Sequence, residues 1–172
     1  MSYRHWQDTT DDYDKLFEAG ERYDVIIYAG LDEEEIRAHS IILSTRSQYF
    51  RTAFSNEWAR KEDGKFIFKK PDVSPLLFRI VIRYLYCGNI ELTTLQGTDV
   101  LNLLLVVDEL GIQTLTPCIQ EYLVKRNDEF LQQYPVEILE TVHQHEQFTE
   151  LWDSCLEKIC QTPEMFFNSE TR

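Results

Sequence analysis

The sequence predicts an α+β domain, and three observations support this prediction. Branched and aromatic residues run together at Val25–Tyr28, as they do in strands, and a turn follows at Gly30–Asp32. Apolar side chains then recur at helical spacing from Ile42 to Phe54. Charged and apolar residues alternate in Lys65–Lys69, which is a strand pattern. The chain has 172 residues, enough for one domain or for one domain with a short appendage.

A helix over residues 10–19 is predicted ahead of the first strand, with Thr9 or Thr10 as its cap. Two aspartates follow these threonines, and acidic residues are favoured in a first helical turn. Three apolar side chains share one face of this helix: Tyr13, Leu16 and Phe17. Because that face would be exposed on an isolated domain, it predicts an interface.

The next elements alternate between strands and helices. In order they are Val25–Tyr28, Glu35–Ala38, Ser40–Thr45, Gln48–Ser55, Lys65–Lys69 and a helix that begins at Ser74–Pro75. Ser47 can cap the helix Gln48–Ser55, and proline suits the first turn of the last helix. That last helix should end at Cys87–Asn89, because glycine at position 88 favours helix termination.

The remainder of the chain is predicted to be helical after one short strand. The predicted elements are a strand at Ile90–Leu92, helices over 97–110 and 114–126 joined at Gly111, a helix from near Asp128, a helix from Pro135, a helix over Phe148–Ile159 and a short helix after Thr162.

Four short motifs along these elements resemble the BTB/POZ domain. They are Asp-Val-x-Ile from Asp24, Ala-His-x-x-x-Leu from Ala38, Ser-x-x-Phe from Ser47 and Tyr-Leu-Tyr-x-Gly from Tyr84. The resemblance implies the BTB/POZ fold, a small mixed sheet flanked by a helical cluster, over residues 23–126. It further implies that residues 1–22 form an N-terminal helix packing on that domain. Residues 127–172 would then begin an all-α extension called BACK or 3-box.

The resemblance implies a protein-interaction and dimerisation module rather than an enzyme. The dimer interface would include Tyr13, Leu16, Phe17, Asp24 and Ser40. In the family, an acid at the position of Asp24 often lies near a base that follows the Ala-His pair, whereas this chain has Ser40 there. We therefore expect the Asp24 carboxylate to pair with Arg22, with Arg37 or with backbone amides, or else to be partly exposed.

The resemblance also implies binding to the N-terminal domain of cullin-3, as in ubiquitin-ligase adaptors. The candidate contact residues are Tyr49, Trp58, Arg60, Gln113 and Phe130. Trp58 occupies the family's hydrophobic position and is either a binding hot spot or a cover for Phe54 or Phe66. Arg60 replaces the family's acid, which favours the alternative of an assembly module without a ligase role. A substrate would be held by a C-terminal domain missing from this chain.

The composition limits the other function classes. The net charge is −13, and residues 1–36 hold eleven acids against three bases, so nucleic-acid binding is not expected. No signal peptide or membrane-spanning run is visible, and four cysteines without a CxxC pair favour a cytoplasmic or nuclear protein. His39 is interpreted as a structural residue at a strand-to-helix corner. His143 and His145 lie two apart on a predicted helix and point to different faces, so no metal or other cofactor is expected.

Overall fold

A computed structural model of the protein describes residues 6–55, 59–126, 135–145 and 147–161. Its strands are β1 (Val25–Ala29), β2 (Glu34–Ala38), β3 (Lys61–Glu62) and β4 (Lys65–Lys70). Its helices are α1 (Trp6–Ala19), α2 (Ser40–Arg46), α3 (Gln48–Ser55), α4 (Pro75–Cys87), α5 (Gly97–Glu109), α6 (Thr116–Lys125), α7 (Pro135–Gln144) and α8 (Thr149–Gln161). These elements pack as two compact units: residues 1–91 with 106–112, and residues 92–105 with 113–172.

The first unit is built around a four-stranded sheet with the order β2-β1-β4-β3. β1 pairs antiparallel with β2 and parallel with β4, and β3 pairs antiparallel with β4, so the sheet is mixed as predicted. On the inner face of β1, the side chains of Val25, Ile27 and Ala29 are fully buried. The predicted α+β class with a small mixed sheet is therefore confirmed.

Aromatic side chains fill the space between the sheet and helices α3 and α4. The ring of Phe68 on β4 lies 5.6 Å from that of Phe50 on α3 and 6.2 Å from that of Phe78 on α4. Phe50 and Phe78 are fully buried. Burying such a side chain is worth about 1.5–3 kcal/mol, so this cluster is a main reason why α3 and α4 stay on the sheet.

The predicted starts of α3 and α4 and the predicted end of α4 are confirmed. Ser47 accepts a hydrogen bond from the backbone of Phe50 at 3.4 Å, and its hydroxyl donates to the Leu110 carbonyl at 3.0 Å. Ser74 accepts from the backbone of Leu77 at 3.3 Å and thereby caps α4. The left-handed Gly88, with φ of 70°, ends the same helix.

Among the residues that the structure describes, the second unit consists of helices joined by turns and contains no strand. α7 and α8 pack against each other, and α8 also packs on α6. Their apolar faces bury Phe148, Leu151 and Cys155. The helices predicted from Pro135 and over Phe148–Ile159 are confirmed with shifted ends, whereas those predicted near Asp128 and after Thr162 lie outside the described residues.

Three predictions about the elements were wrong or incomplete. Residues 89–92 form no strand, because this segment pairs with neither edge of the sheet, and Leu92 is buried as a single apolar side chain. α1 begins by Trp6 rather than at a threonine cap: the Thr10 hydroxyl donates to the Trp6 carbonyl at 3.0 Å inside the helix. The short strand β3 was not predicted.

The turn between β1 and β2 requires glycine for two reasons. Gly30 has φ of +72°, and a Cβ built there would lie 2.9 Å from Cδ of Pro75 at the start of α4. We expect Gly30→Ala to lower the free energy of unfolding by about 2–4 kcal/mol, because left-handed backbone strain adds to an overpacked contact. Urea unfolding followed by circular dichroism measures this change.

Gly64→Ala is the matched control for that substitution. Gly64 has a similar φ of +78°, but its added Cβ would meet no atom within 4 Å. Its cost should therefore be the backbone strain alone, about 1–2 kcal/mol. Equal losses in the two variants would contradict the proposed role of the contact with Pro75.

Candidate functional site

Helix α1 is attached to α4 by an apolar contact and by ion pairs. Phe17 is only 4% exposed, with its ring 5.1 Å from that of Tyr86 and with the Arg79 guanidinium 5.1 Å from the ring centre. Arg83 donates two hydrogen bonds of 2.6 Å to the Asp14 carboxylate. This bonding raises the pKa of Arg83 above its ordinary value. α1 is therefore held on its own protomer by its C-terminal half.

A hydrogen-bonded corner joins the end of β2 to α4. The backbone N–H of His39 donates to the Tyr86 hydroxyl at 2.7 Å. The two ring nitrogens of His39 contact the Tyr86 hydroxyl and the Glu21 carbonyl, each at 2.7 Å. Because a carbonyl can only accept, Nε2 of the neutral ring carries the proton and Nδ1 accepts from Tyr86. Both ring nitrogens thus have structural partners, which leaves His39 no free nitrogen for general-base chemistry.

Asp24 lies beside this corner and stabilises the start of α2. Its carboxylate accepts hydrogen bonds from the Ser40 backbone N–H at 2.7 Å and from the Ser40 hydroxyl at 2.5 Å. Asp24 is half-buried. The sequence left open how the Asp24 carboxylate is stabilised. The structure shows a backbone amide as its partner together with partial exposure to solvent. The residue that replaces the family's base is itself the second hydrogen-bond partner.

A mostly apolar groove of about 630 Å³ opens between α1, α2 and the end of α4. Two large apolar side chains beside it are exposed to solvent, Tyr13 to 42% and Ile41 to 75%. The lining residues are Thr9, Thr10, Tyr13, Leu16, His39, Ile41, Ile42, Thr45, Arg46, Leu85, Tyr86, Cys87 and Gly88. We call this feature the α1–α2 groove.

The structure brings some of the predicted interface residues to this groove and not others. Tyr13 and Leu16 line it. Phe17 does not, and the expectation that it would be exposed on an isolated domain was wrong, because its ring packs against Tyr86 and Arg79 of the same chain. Asp24 and Ser40 are hydrogen-bonded to each other rather than directed at the groove lining.

The candidate cullin-binding residues are only partly described. Tyr49 is half-buried, with its ring edge-on to Phe50 and Phe68 at 5.7 and 6.0 Å. Arg60 is exposed and ion-paired with Glu62 at 2.5 Å. Gln113 is exposed in the second unit. Trp58 and Phe130 lie outside the described residues.

Sequence reasoning missed two residues that build the groove. Ile41 follows Ser40 in a short helix, and nothing in its spacing distinguishes it from a core residue. Tyr86 was recognised only as part of a turn motif, although its hydroxyl is the partner of His39. A buried tyrosine needs a hydrogen-bond partner, and a corner histidine is a suitable one, so this pair was the available signal.

Comparison with known proteins identifies the fold. A sequence model of the BTB/POZ domain matches residues 13–127. The chain belongs to the BTB/POZ family. The solved BTB domain of zebrafish PATZ1 superposes with a TM-score of 0.56 at 21% identity, covering 73% of this chain and 98% of that one. The predicted BTB fold is therefore confirmed. The BTB/POZ family consists of non-enzymatic protein-interaction modules, which agrees with the general function predicted from the sequence.

Two curated relatives are much longer than the segment of them that this chain matches. The chain is 31% identical over 93 residues to BTB/POZ domain-containing protein 9 of Drosophila melanogaster, covering 54% of this chain and 12% of the relative. It is 30% identical over 71 residues to Kelch-like protein 15 of Danio rerio, covering 41% of this chain and 11% of the relative. The chain thus spans about an eighth or less of the length of these relatives.

Two kinds of site find no support in the part of the chain that the structure describes. None of its helices is long and apolar enough to cross a membrane. Among the same residues, no group of three or more histidine, cysteine or acidic side chains is placed to hold a metal ion.

The corner between His39 and Tyr86 generates a test of stability. Tyr86→Phe removes the partner of both the His39 backbone N–H and its Nδ1 atom, so we expect it to cost about 1–3 kcal/mol of unfolding free energy at neutral pH. Tyr28→Phe is the matched control, because no described residue hydrogen-bonds the Tyr28 hydroxyl. Guanidinium unfolding of both variants measures the difference.

The same pair of variants predicts a pH dependence. Burial raises the pKa of the Tyr86 phenol well above its ordinary value of 10.0. The stability that depends on the neutral phenol is therefore complete below about pH 10 and decreases above it, as unfolded chains ionise first. The gap between the parent protein and Tyr86→Phe should narrow above pH 10. A gap that stays constant there, or equal losses in both variants, would contradict this role of Tyr86.

Proposed function

We propose that this BTB domain acts as a homodimerisation module and that the α1–α2 groove is its dimer interface. The observation that carries the proposal is the apolar groove with Ile41 and Tyr13 exposed beside it. Contiguous exposed apolar surface of this kind marks interaction sites. A twofold interface would use the same patch on both protomers, so each copy would offer both a groove and exposed apolar side chains.

The polar groups of the groove favour a protein surface over a small polar ligand. The hydroxyl of Thr10 donates to the Trp6 carbonyl, and that of Thr45 donates to the Ile41 carbonyl at 2.6 Å. The His39 ring is fully engaged with Tyr86 and Glu21. Ligand pockets normally present a few free polar groups that orient the ligand. The hydroxyl hydrogens of both threonines and the ring nitrogens of His39 are already used, so these residues offer only hydroxyl lone pairs. The lining is mostly apolar, and Arg46 is its one charged side chain among the described residues, so burial of apolar area is the larger interaction available.

The attachment of α1 supports the same proposal. Asp14 and Glu18 are paired with Arg83 and Arg79 of α4, so part of the negative charge of α1 is balanced within its own chain. α1 thus holds one wall of the groove in place before a partner arrives, which reduces the entropy lost on association.

Ile41→Asp tests the proposed dimer. Ile41 is 75% exposed, so the substitution should leave the protomer folded, while an acid in the apolar interface should weaken dimerisation at least about 30-fold. Size-exclusion chromatography with light scattering at tens of micromolar protein should then give a dimer mass for the parent and a monomer mass for the variant.

Leu31→Asp is the control, because Leu31 is 91% exposed and lies in the turn before β2 rather than in the groove. It introduces the same side chain and should leave the dimer intact. A monomeric parent protein would refute the dimer proposal, and a dimer that persists in Ile41→Asp would refute the assignment of the interface.

A second proposed function is that of a substrate adaptor for a cullin-3 ubiquitin ligase. The similarity to Kelch-like protein 15 supports this proposal, because we associate Kelch-like proteins with the cullin-3 adaptors. In this proposal residues 1–22, 23–126 and 127–172 are an N-terminal helix, the BTB domain and the start of a BACK extension. The helical α7 and α8 are consistent with such an extension. The substrate would be held elsewhere in a longer protein.

The described candidate residues can take part in such a contact in different ways. Tyr49 is held by Phe50 and Phe68, so it would present a rigid ring edge. Arg60 is exposed and bound to Glu62, so it would meet a partner as half of a neutralised pair. The competing proposal, a BTB module used only for assembly, follows from the same Arg60, which stands where adaptors carry an acid.

Trp58→Ala decides between the adaptor and the assembly module. If Trp58 is the hot spot of a cullin-3 contact, its truncation should cost at least about 2 kcal/mol of binding. Arg60→Glu should strengthen binding by restoring the acid of the family pattern. Calorimetry with a cullin-3 N-terminal fragment measures both.

Trp6→Ala is the control, since Trp6 is a 69% exposed tryptophan on α1 and outside the proposed contact. It should leave cullin-3 binding unchanged. The absence of any complex between the parent protein and cullin-3 at about 50 µM would leave only the assembly function.

A further inference from the structure

The α1–α2 groove has one permanently charged side chain among the described residues that line it, Arg46 in the last turn of α2. Arg46 is exposed, and its guanidinium makes no hydrogen bond or ion pair with any residue that the structure describes. A Cβ built at Gly88 would lie 3.8 Å from its Nη2 atom, so the guanidinium lies beside the residue that ends α4. The C-terminal end of a helix carries a partial negative charge, which favours a nearby cation without neutralising it. The groove therefore holds an arginine that lacks a carboxylate partner.

The opposite wall of the groove, helix α1, is acidic. Its residues Trp6–Ala19 include five acids and one base. Asp14 and Glu18 are bound to arginines of α4 in the same chain. Asp12 is ion-paired with Lys15 at 3.2 Å, and both of these side chains are at least 75% exposed. An exposed pair within one helix is worth little, so the Asp12 carboxylate can exchange Lys15 for a better-placed cation.

The position of Asp12 on α1 brings its carboxylate close to the groove. Thr9, Tyr13 and Leu16 line the groove from α1, and residues three or four apart lie on the same side of a helix. Asp12 follows Thr9 by three residues and precedes Leu16 by four, so it borders this lining. Asp11 lies two residues before Tyr13 and therefore points away from it. Asp12 is thus the acid of α1 best placed to meet a cation that arrives at the groove.

The charges of the two walls favour one way of joining two copies. A twofold interface can place α1 of one copy against α1 of the other, or against α2 of the other. The first arrangement brings the acids of two α1 helices together, and like charges facing each other across an interface cost affinity. The second arrangement brings Arg46 of each copy to the acidic wall of the other. Charge complementarity therefore favours α1 against α2.

We propose that Arg46 of one protomer forms an ion pair with the partner's Asp12, and that this pair selects a second copy of this chain as the occupant of the groove. The inference rests on the dimer proposed above and adds to it the residues that give it specificity. In a twofold dimer the pair forms twice. Ile41 and Tyr13 supply the buried apolar area, whereas a partner without an acid at this position would leave the guanidinium unpaired.

Two charge reversals test the pair. Arg46→Glu and Asp12→Arg should each weaken the dimer at least about tenfold, because each replaces two attractive contacts in the dimer by two repulsive ones. Both side chains are exposed, so the protomers should stay folded, which circular dichroism verifies. Analytical ultracentrifugation of a dilution series measures the dissociation constants of the parent protein and of each variant.

A mixture of the two variants gives the sharper result. In a mixed dimer, the introduced glutamate faces the introduced arginine on one side, and the native Arg46 faces the native Asp12 on the other. Both ion pairs are thereby restored, whereas each homodimer has two repulsive contacts. Native mass spectrometry, which separates the variants by mass, should show heterodimers in large excess over either homodimer.

Asp11→Arg is the matched control, since it makes the same change of charge on the same helix but on the side that points away from Tyr13. It should leave the dissociation constant of the dimer within about threefold of the parent value, because charges outside an interface are screened by salt. It should also fail to restore dimerisation when mixed with Arg46→Glu.

The outcomes separate this inference from the proposed dimer. A monomeric parent protein would overturn both. A dimeric parent that is unaffected by either reversal, or a mixture without an excess of heterodimer, would overturn the ion pair and leave the dimer in place. If Asp11→Arg weakens the dimer and restores pairing as well as Asp12→Arg does, the effect is one of net charge and the ion pair is equally overturned.

Discussion

The hydrogen bonds between His39 and Tyr86 are the interaction on which the region around the α1–α2 groove depends. They fix the place where β2 ends and α2 begins against the last turn of α4. The same tyrosine ring packs on Phe17, and the other ring nitrogen of His39 meets the Glu21 carbonyl just after α1. This partly buried polar pair thus connects the sheet with three helices. Loss of either partner would leave the other one's polar atoms without their hydrogen bonds.

The α1–α2 groove is a consequence of this arrangement. α1 is held on α4 by Phe17 and by the ion pair of Asp14 with Arg83, while Asp24 and Ser40 fix the first turn of α2. The two helices therefore stand apart at a set distance, with apolar side chains between them. Ile41 and Tyr13 remain exposed because no described residue of the first unit covers their side chains. This residual apolar surface is the one that a second copy would cover in the proposed dimer.

Local patterns predicted the elements well where one short-range interaction decides the outcome. Ser47 and Ser74 cap their helices, and Gly88 ends α4, because these contacts lie within a few residues of each other. The missed strand β3 also had a local signal, since Asp63-Gly64 joins it to β4 with positive φ at both residues. The predicted strand at Ile90–Leu92 failed for the opposite reason: a strand needs a neighbour, and its residues cannot supply one.

The sequence by itself determined the fold family, through four motifs that resemble the BTB/POZ domain. It also determined the polarity pattern of the strands that it predicted and most helix ends, because these follow from periodicity and local backbone chemistry. Only the tertiary structure decided which apolar residues are left for partners. Phe17 and Tyr13 have the same apolar character on α1. Phe17 is nevertheless buried by Arg79 and Tyr86, which lie far along the chain, whereas Tyr13 stays 42% exposed. Exposure is set by packing between distant segments, and no local pattern records it.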